Sequence, residues 1–213
     1  MRFLLVFLLS CRAVAETINL TPVNSYTLFG EISDESVNAA IMNLNKPEVV
    51  FLVLTSPGGS VQAGLRLASF IETKPKLVCI ANFAASMAFS TLQVCKTRLV
   101  LNHTIMMQHE AIISLNGLPL SKFISLFKSL YRQTLKMYTK EARRMKLSLT
   151  DYTKQIKDEM WFFSGDDAVS KNAADRKVTV TCTEGLLEAE GSIDANTPFG
   201  PIAVPYARCP LIR

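Results

Sequence analysis

The sequence predicts a layered α/β domain, and three observations carry that expectation. Val49–Leu54 and Leu77–Ala81 are continuous apolar runs rich in β-branched residues, the pattern of parallel strands buried on both faces. Each run leads into a stretch of helical character: Val61, Leu65, Leu67, Ala68 and Ile71 after the first, and Ser86 to about Cys95 after the second. Strands alternating with helices imply right-handed crossovers within one sheet.

The remaining elements follow in order. Tyr26–Ile32 reads as a short strand and turn. Val37, Ala40, Ile41 and Leu44 mark a helix over 34–45, with Asp34 placed to cap it. Arg98–Leu101 and Thr104–Met107 read as two short strands with a turn at Asn102-His103. One long amphipathic helix is expected from Pro119 to Met145. Its apolar stripe is Leu120, Phe123, Ile124, Phe127, Leu130, Tyr131 and Tyr138, suited to the core or to another subunit. A loop at Leu147–Leu149 and a short helix lead to Glu159–Phe163. A helix and turn over Asp166–Asp175 and a strand at Val178–Val180 follow. Residues 182–213 are rich in proline, lack periodicity and read as an irregular C-terminal tail, leaving 16–181 as the domain.

The N-terminus reads as a secretory signal. Arg2 precedes the apolar run Phe3–Leu9, and Ala13-Val14-Ala15 is a small-x-small site that places cleavage after Ala15. The run is too short to span a membrane. Two other readings remain open: a buried N-terminal helix or strand, and lipid anchoring at Cys11 through Leu8-Leu9-Ser10-Cys11. Cleavage at Ala15 leaves Cys79, Cys95, Cys182 and Cys209, which permit two disulfides in three pairings. Cys182 with Cys209 would pin the tail, and Cys79 with Cys95 would tie a strand to the next helix. No Cys/His cluster suggests a metal, and no cofactor is expected. The net charge of +5 is mild, and much of the excess lies between Lys122 and Lys146. That stretch lacks the aromatic or glycine motifs of a nucleic-acid site and reads as a solvated helix face.

Three short segments carry chemistry. Ser56-Pro57-Gly58-Gly59-Ser60 follows a buried strand, where open α/β sheets place ligands, and paired glycines leave backbone amides facing outward. Ser86, in Ala84-Ala85-Ser86-Met87-Ala88, follows the next strand and opens a helix whose dipole favours an anion there. Helix capping is the simpler role for such a serine. The sequence has two histidines. His109 ends a strand and is placed to activate Ser86; His103 in its turn is the weaker base.

In order and spacing, Phe29-Gly30-Glu31-Ile32, Ser56-Pro57-Gly58-Gly59-Ser60 with Ala63-Gly64, Ala84-Ala85-Ser86-Met87 and Met106-Met107-Gln108-His109 resemble the Clp protease proteolytic subunit. The resemblance runs roughly from 26 to 181. It implies a crotonase-like layered α/β fold with repeated ββα units and a long protruding helix, serine peptidase activity on peptides or unfolded segments, and a homo-oligomer. It further implies Ser86 as nucleophile, His109 as base, and the backbone N–H groups of Gly59 and Met87 as the oxyanion hole. The third residue depends on register. Aligned forward from Leu147-Ser148-Leu149, the acid falls on Glu159, with Asp158 in reserve; aligned backward from Ser164, the position falls on Met160. The order Glu159-Met160-Trp161-Phe162 selects Glu159. A second departure is Glu110-Ala111 where the family usually carries Gln-Pro. Lys128 offers the serine–lysine alternative known among membrane-associated relatives. An exported chain would lack the family's ATP-driven unfoldase. Competing functions are a catalytically silent binding or assembly module of this fold and an acyl-thioester enzyme.

Overall fold

The computed structural model describes residues 16–112, 120–157, 160–197 and 200–210. The expected signal over 1–15, with Cys11 and Ala15, lies outside them, as do Asp158 and Glu159.

The elements run β1 (Thr17–Leu20), β2 (Ser25–Phe29), α1 (Asp34–Leu44), β3 (Phe51–Ser56), α2 (Val61–Glu72), β4 (Val78–Ala85), α3 (Met87–Val94) and β5 (Thr97–Gln108). They continue with α4 (Leu120–Arg144), α5 (Leu149–Lys157), β6 (Trp161–Ser164), α6 (Gly165–Ser170), β7 (Arg176–Lys177), β8 (Thr179–Cys182), α7 (Glu184–Leu187), β9 (Ala189–Thr197) and β10 (Gly200–Ala207). The main sheet has the order β2-β3-β4-β5-β6, with β7 also on β5. β2 to β5 are parallel and β6 is antiparallel to β5. The expected layered α/β architecture is therefore present, with α1, α2 and α3 as its crossovers.

The continuous apolar strands serve two layers. Leu52, Leu54, Cys79 and Ala81 face a core shared with α1 to α5. Val53, Ile80 and Leu99, alternating with them, face a second core with Ile18 and Leu20 of β1, Val180, Leu186 and Cys209. β1 pairs in parallel with β8, and neither β1 nor this pairing is legible from periodicity. Two disulfides close, Cys79–Cys95 and Cys182–Cys209. The second holds the chain end against this second core. The segment expected to be irregular instead carries α7 and the antiparallel hairpin β9–β10.

Several expectations need correction. Ser33, not Asp34, caps α1: its side chain accepts from Ser36 N–H in a reciprocal capping box. Asp34 lies in the first turn beside the helix dipole. The two short strands of 98–107 are one strand, β5, with an interruption at Leu101–Thr104. Thr104 bridges that gap: its hydroxyl donates to Ala81 C=O at 2.6 Å and accepts from Leu101 N–H at 2.7 Å. β4 consequently continues past Asn82 to Ala85. In α4 the apolar stripe divides. Tyr138 is buried with Met137, Ala142 and Met145, whereas Ile124, Phe127 and Tyr131 are exposed. The side chains of Leu120 and Phe123 lie outside the description. Among the described residues no helix is long and apolar enough to cross a membrane.

Candidate active site

Ser86 sits where β4 turns into α3, with φ 54° and ψ −121°. For a non-glycine residue this conformation costs on the order of 1–3 kcal/mol and persists only where the surroundings hold it. Here Ser86 N–H donates to Met107 C=O at 2.8 Å, and Ser86 C=O accepts from Ser90 N–H at 3.1 Å. The side chain makes no capping bond to α3, so the simpler role does not apply. Its Oγ lies instead 2.9 Å from His109 Nε2. The two residues are in hydrogen-bonding contact across a separation of 23 positions.

The glycine loop packs against this turn. Gly58 (φ 98°) and Gly59 (φ 144°) both occupy conformations that favour glycine. A Cβ on Gly58 would stand 2.7 Å from Ser86 Cβ and 2.9 Å from Met87 N. Gly58 C=O accepts from Ile32 N–H at 2.7 Å, and Ser60 N–H donates to Ile32 C=O at 2.8 Å, which fixes the loop on both sides. Gly59 and Met87 line the same cavity of about 220 Å³ as Ser86 and His109. Neither amide donates to another described group. Two amides and a helix N-terminus beside a hydroxyl–imidazole pair can stabilise a developing oxyanion while the imidazole takes the hydroxyl proton.

The far side of His109 is less complete. Among the described residues no acceptor meets its Nδ1. Glu159 and Asp158 lie outside them. The antiparallel ladder ends at the Gln108–Trp161 pair, and the next residues on its two strands, His109 and Met160, lie beyond it. Both line a shared hollow with Ile156 and Lys157. His103 is elsewhere: its Nε2 lies 3.0 Å from Asn82 Oδ1 and 3.1 Å from Pro210 C=O. Both neighbours are acceptors, so Nε2 carries a proton and ties the chain end to β4. Lys128 is exposed on α4 and is not among the described residues lining the Ser86 cavity.

A polar network beneath the site was not anticipated. Gln108 is buried; its Nε2 donates to Ser90 Oγ and to Glu141 Oε2, each at 3.0 Å. Its Oε1 accepts from His109 N–H at 3.2 Å. Tyr152 donates its hydroxyl proton to the same Glu141 oxygen. Burial raises the Glu141 pKa, although hydrogen bonds from Ser90, Tyr152 and Gln108 oppose the shift. Tyr138 holds the segment after the histidine by accepting from Ala111 N–H at 2.7 Å. Burial pushes its hydroxyl up to about 12, against that hydrogen bond and with help from Glu141 and Glu110. One signal was available for Glu141: it is the only acid between Lys122 and Lys146. An isolated carboxylate in a basic, otherwise solvated helix marks a turn of the helix facing inward.

Among the described residues no group of side chains is arranged to hold a metal ion. Residues 20–179 match the sequence model of the Clp protease family. No curated protein matches the chain.

Proposed function

Since the chain belongs to the Clp protease family, a family of peptidases, we propose that it is an exported serine peptidase that cleaves peptides or unfolded segments through an acyl-enzyme on Ser86. The observation that carries this reading is the 2.9 Å approach of His109 Nε2 to Ser86 Oγ. His109 takes the hydroxyl proton as Oγ attacks the scissile carbonyl carbon. The oxyanion that forms is received by the N–H groups of Gly59 and Met87. His109 then gives the proton to the departing amine, and water, deprotonated by the same imidazole, hydrolyses the ester. Glu159 is the proposed acceptor for His109 Nδ1–H, which sets the tautomer that leaves Nε2 able to accept.

Export is supported by the Arg2, Phe3–Leu9 and Ala13-Val14-Ala15 pattern. The two disulfides fit an oxidising compartment. In such a compartment the enzyme works without an ATP-driven unfoldase and takes substrates that are already extended. Self-association through the outer part of α4, where Ile124 is exposed, is proposed.

The test is covalent labelling with a fluorophosphonate. The wild type is expected to label at Ser86, Ser86→Ala not at all, and His109→Ala several orders of magnitude more slowly. Equal labelling of Ser86→Ala would refute the nucleophile, and a loss of less than about tenfold in His109→Ala would refute the base. Glu159→Gln is expected to lower kcat by about 10⁴ with the fold intact, as a wrong tautomer does. Met160 in the hollow it shares with His109 favours a second reading, a catalytically silent binding or assembly module. A wild type that is inert to the probe yet forms a defined oligomer would establish that second reading.

A further inference from the structure

A second, larger cavity of about 460 Å³ adjoins the Ser86–His109 cavity, and Ala111 and Tyr138 line both. It lies between α4 and α5. Phe127, Tyr131, Leu135 and Leu149 make its walls apolar. Phe127 and Tyr131 stack with ring centroids 6.1 Å apart. Glu110, the residue after the histidine, is the charged residue among its described lining. Its backbone N–H is fixed to Ile156 C=O at 2.9 Å. No ion pair engages its carboxylate among the described residues.

We propose that this cavity is a substrate subsite for a lysine or arginine side chain of a peptide whose scissile bond lies at Ser86. The inference rests on the peptidase reading above and adds the chemical class of its substrate. Volume comes first: the cavity is in the range of pockets that enclose a ligand group. Lysine and arginine carry an apolar stem and a charged head, and such side chains lay the stem along apolar walls while the head seeks polar company. Phe127 and Tyr131 line the cavity with aromatic rings, which attract a cation, and Glu110 brings a carboxylate able to make a charge-assisted hydrogen bond. A leucine in the same place would fill the walls and take water from the Glu110 carboxylate without replacing it. An acidic side chain would meet like charge. Lys157 tempers the effect, since it lines a neighbouring hollow that Glu110 also lines. The preference is therefore moderate.

The experiment uses the mature full-length chain and a mixed-sequence peptide library, with cleavage products read by mass spectrometry. Lysine and arginine are expected to be enriched at one fixed position near the scissile bond. Matched fluorogenic peptides carrying Lys, Leu or Glu at that position then give ratios of kcat/KM. The Lys-to-Leu ratio should be about fivefold in the wild type, the scale of one partly solvated ion pair. It should fall to near one in Glu110→Gln, and Glu110→Lys should favour the Glu peptide over the Lys peptide. Each variant supplies its own reference through the Leu peptide, and a thermal melt confirms that it is folded. A Lys preference that survives Glu110→Gln, or a library cleaved with aliphatic or no preference at every position, would overturn the subsite while leaving the peptidase standing. Absence of fluorophosphonate labelling in the wild type would overturn both.

Discussion

Gly58→Ala is the sharpest probe of how the glycine loop supports Ser86. At φ 98° an alanine is strained by about 1–2 kcal/mol before any contact is considered. Its Cβ would then meet Ser86 Cβ at 2.7 Å, Ala85 C=O at 2.8 Å and Met87 N at 2.9 Å, where ordinary contact begins near 3.4 Å. Backbone atoms and a short side chain cannot swing aside, so loop and turn must separate by roughly 0.7 Å, at an overpacking cost of about 1–3 kcal/mol. The sum is about 2–5 kcal/mol, a large part of the stability of a single domain. The shift falls on Ser86, the proposed nucleophile, and on Met87, one of the two proposed oxyanion-hole amides, and a displacement approaching 1 Å costs about 100-fold in rate. Urea unfolding gives the first quantity, and the fluorophosphonate labelling rate of the still-folded fraction gives the second. A variant within 1 kcal/mol of the wild type that labels at the wild-type rate would show that the loop does not set the position of Ser86.

Three further outcomes follow from the packing. Glu141 is buried with a raised pKa, so the fold holds its proton above the ordinary value of 4.5. Stability should therefore fall as pH rises from 4.5 toward the folded-state value, and Glu141→Gln should flatten that part of a urea-midpoint profile. Arg98 is nearly buried, and Asp175 takes its Nη2 at 2.5 Å and its backbone N–H at 2.7 Å. Burial opposes ionisation of Asp175, but the Arg98 hydrogen bonds and charge hold its carboxyl below the usual range. Stability from this pair should be lost as pH falls through the folded pKa of Asp175, and Asp175→Asn should cost about 2–3 kcal/mol by leaving a buried cation short of its partner, measured by denaturation at neutral pH. Replacing Cys182 and Cys209 by serine removes a closed loop of 27 residues and should cost about 3.5 kcal/mol in thermal or urea unfolding, against about 3 kcal/mol for the Cys79–Cys95 loop of 16 residues.

The buried strands and their crossover helices were legible because each is a local pattern: an apolar run, a turn, then helical spacing. Ser86, His109 and the glycine loop were legible for a related reason, since each falls at the end of such a strand. What was hidden depends on partners distant in sequence. β1 is a short segment whose Ile18 and Leu20 gain meaning only beside Val180. The β5 interruption is read as a turn because the Thr104 hydroxyl that bridges it acts on Ala81, 23 residues away. Gln108 and Glu141 are polar residues in the core, and composition alone places such residues outside. The α4 stripe shows the reverse limit. Periodicity gives its face correctly, yet only the end of the domain decides where Tyr138 is buried and Tyr131 is not.

Strand register, more than spacing along the chain, assembles the site. Ser56 at the end of β3 pairs with Ala84, and Ala85 pairs with Met107. The glycine loop, the serine turn and the histidine thus leave neighbouring parallel strands at one level of the sheet. That level depends on Asn82. Leu54 pairs with Ala81 but Thr55 pairs with Phe83, so β4 carries one residue more than β3 across this point. If Asn82 instead took a paired place opposite Thr55, everything beyond it would slip one place and every side chain would change face. Ser86 would then stand where Met87 now stands relative to Gly58, and its hydroxyl would leave His109. Asn82 is held by Nδ2 donation to Thr55 Oγ1 at 3.2 Å and by the His103 contact at 3.0 Å. His103, the weaker base on sequence grounds, is thus tied to the bulge that puts Ser86 within reach of the other histidine.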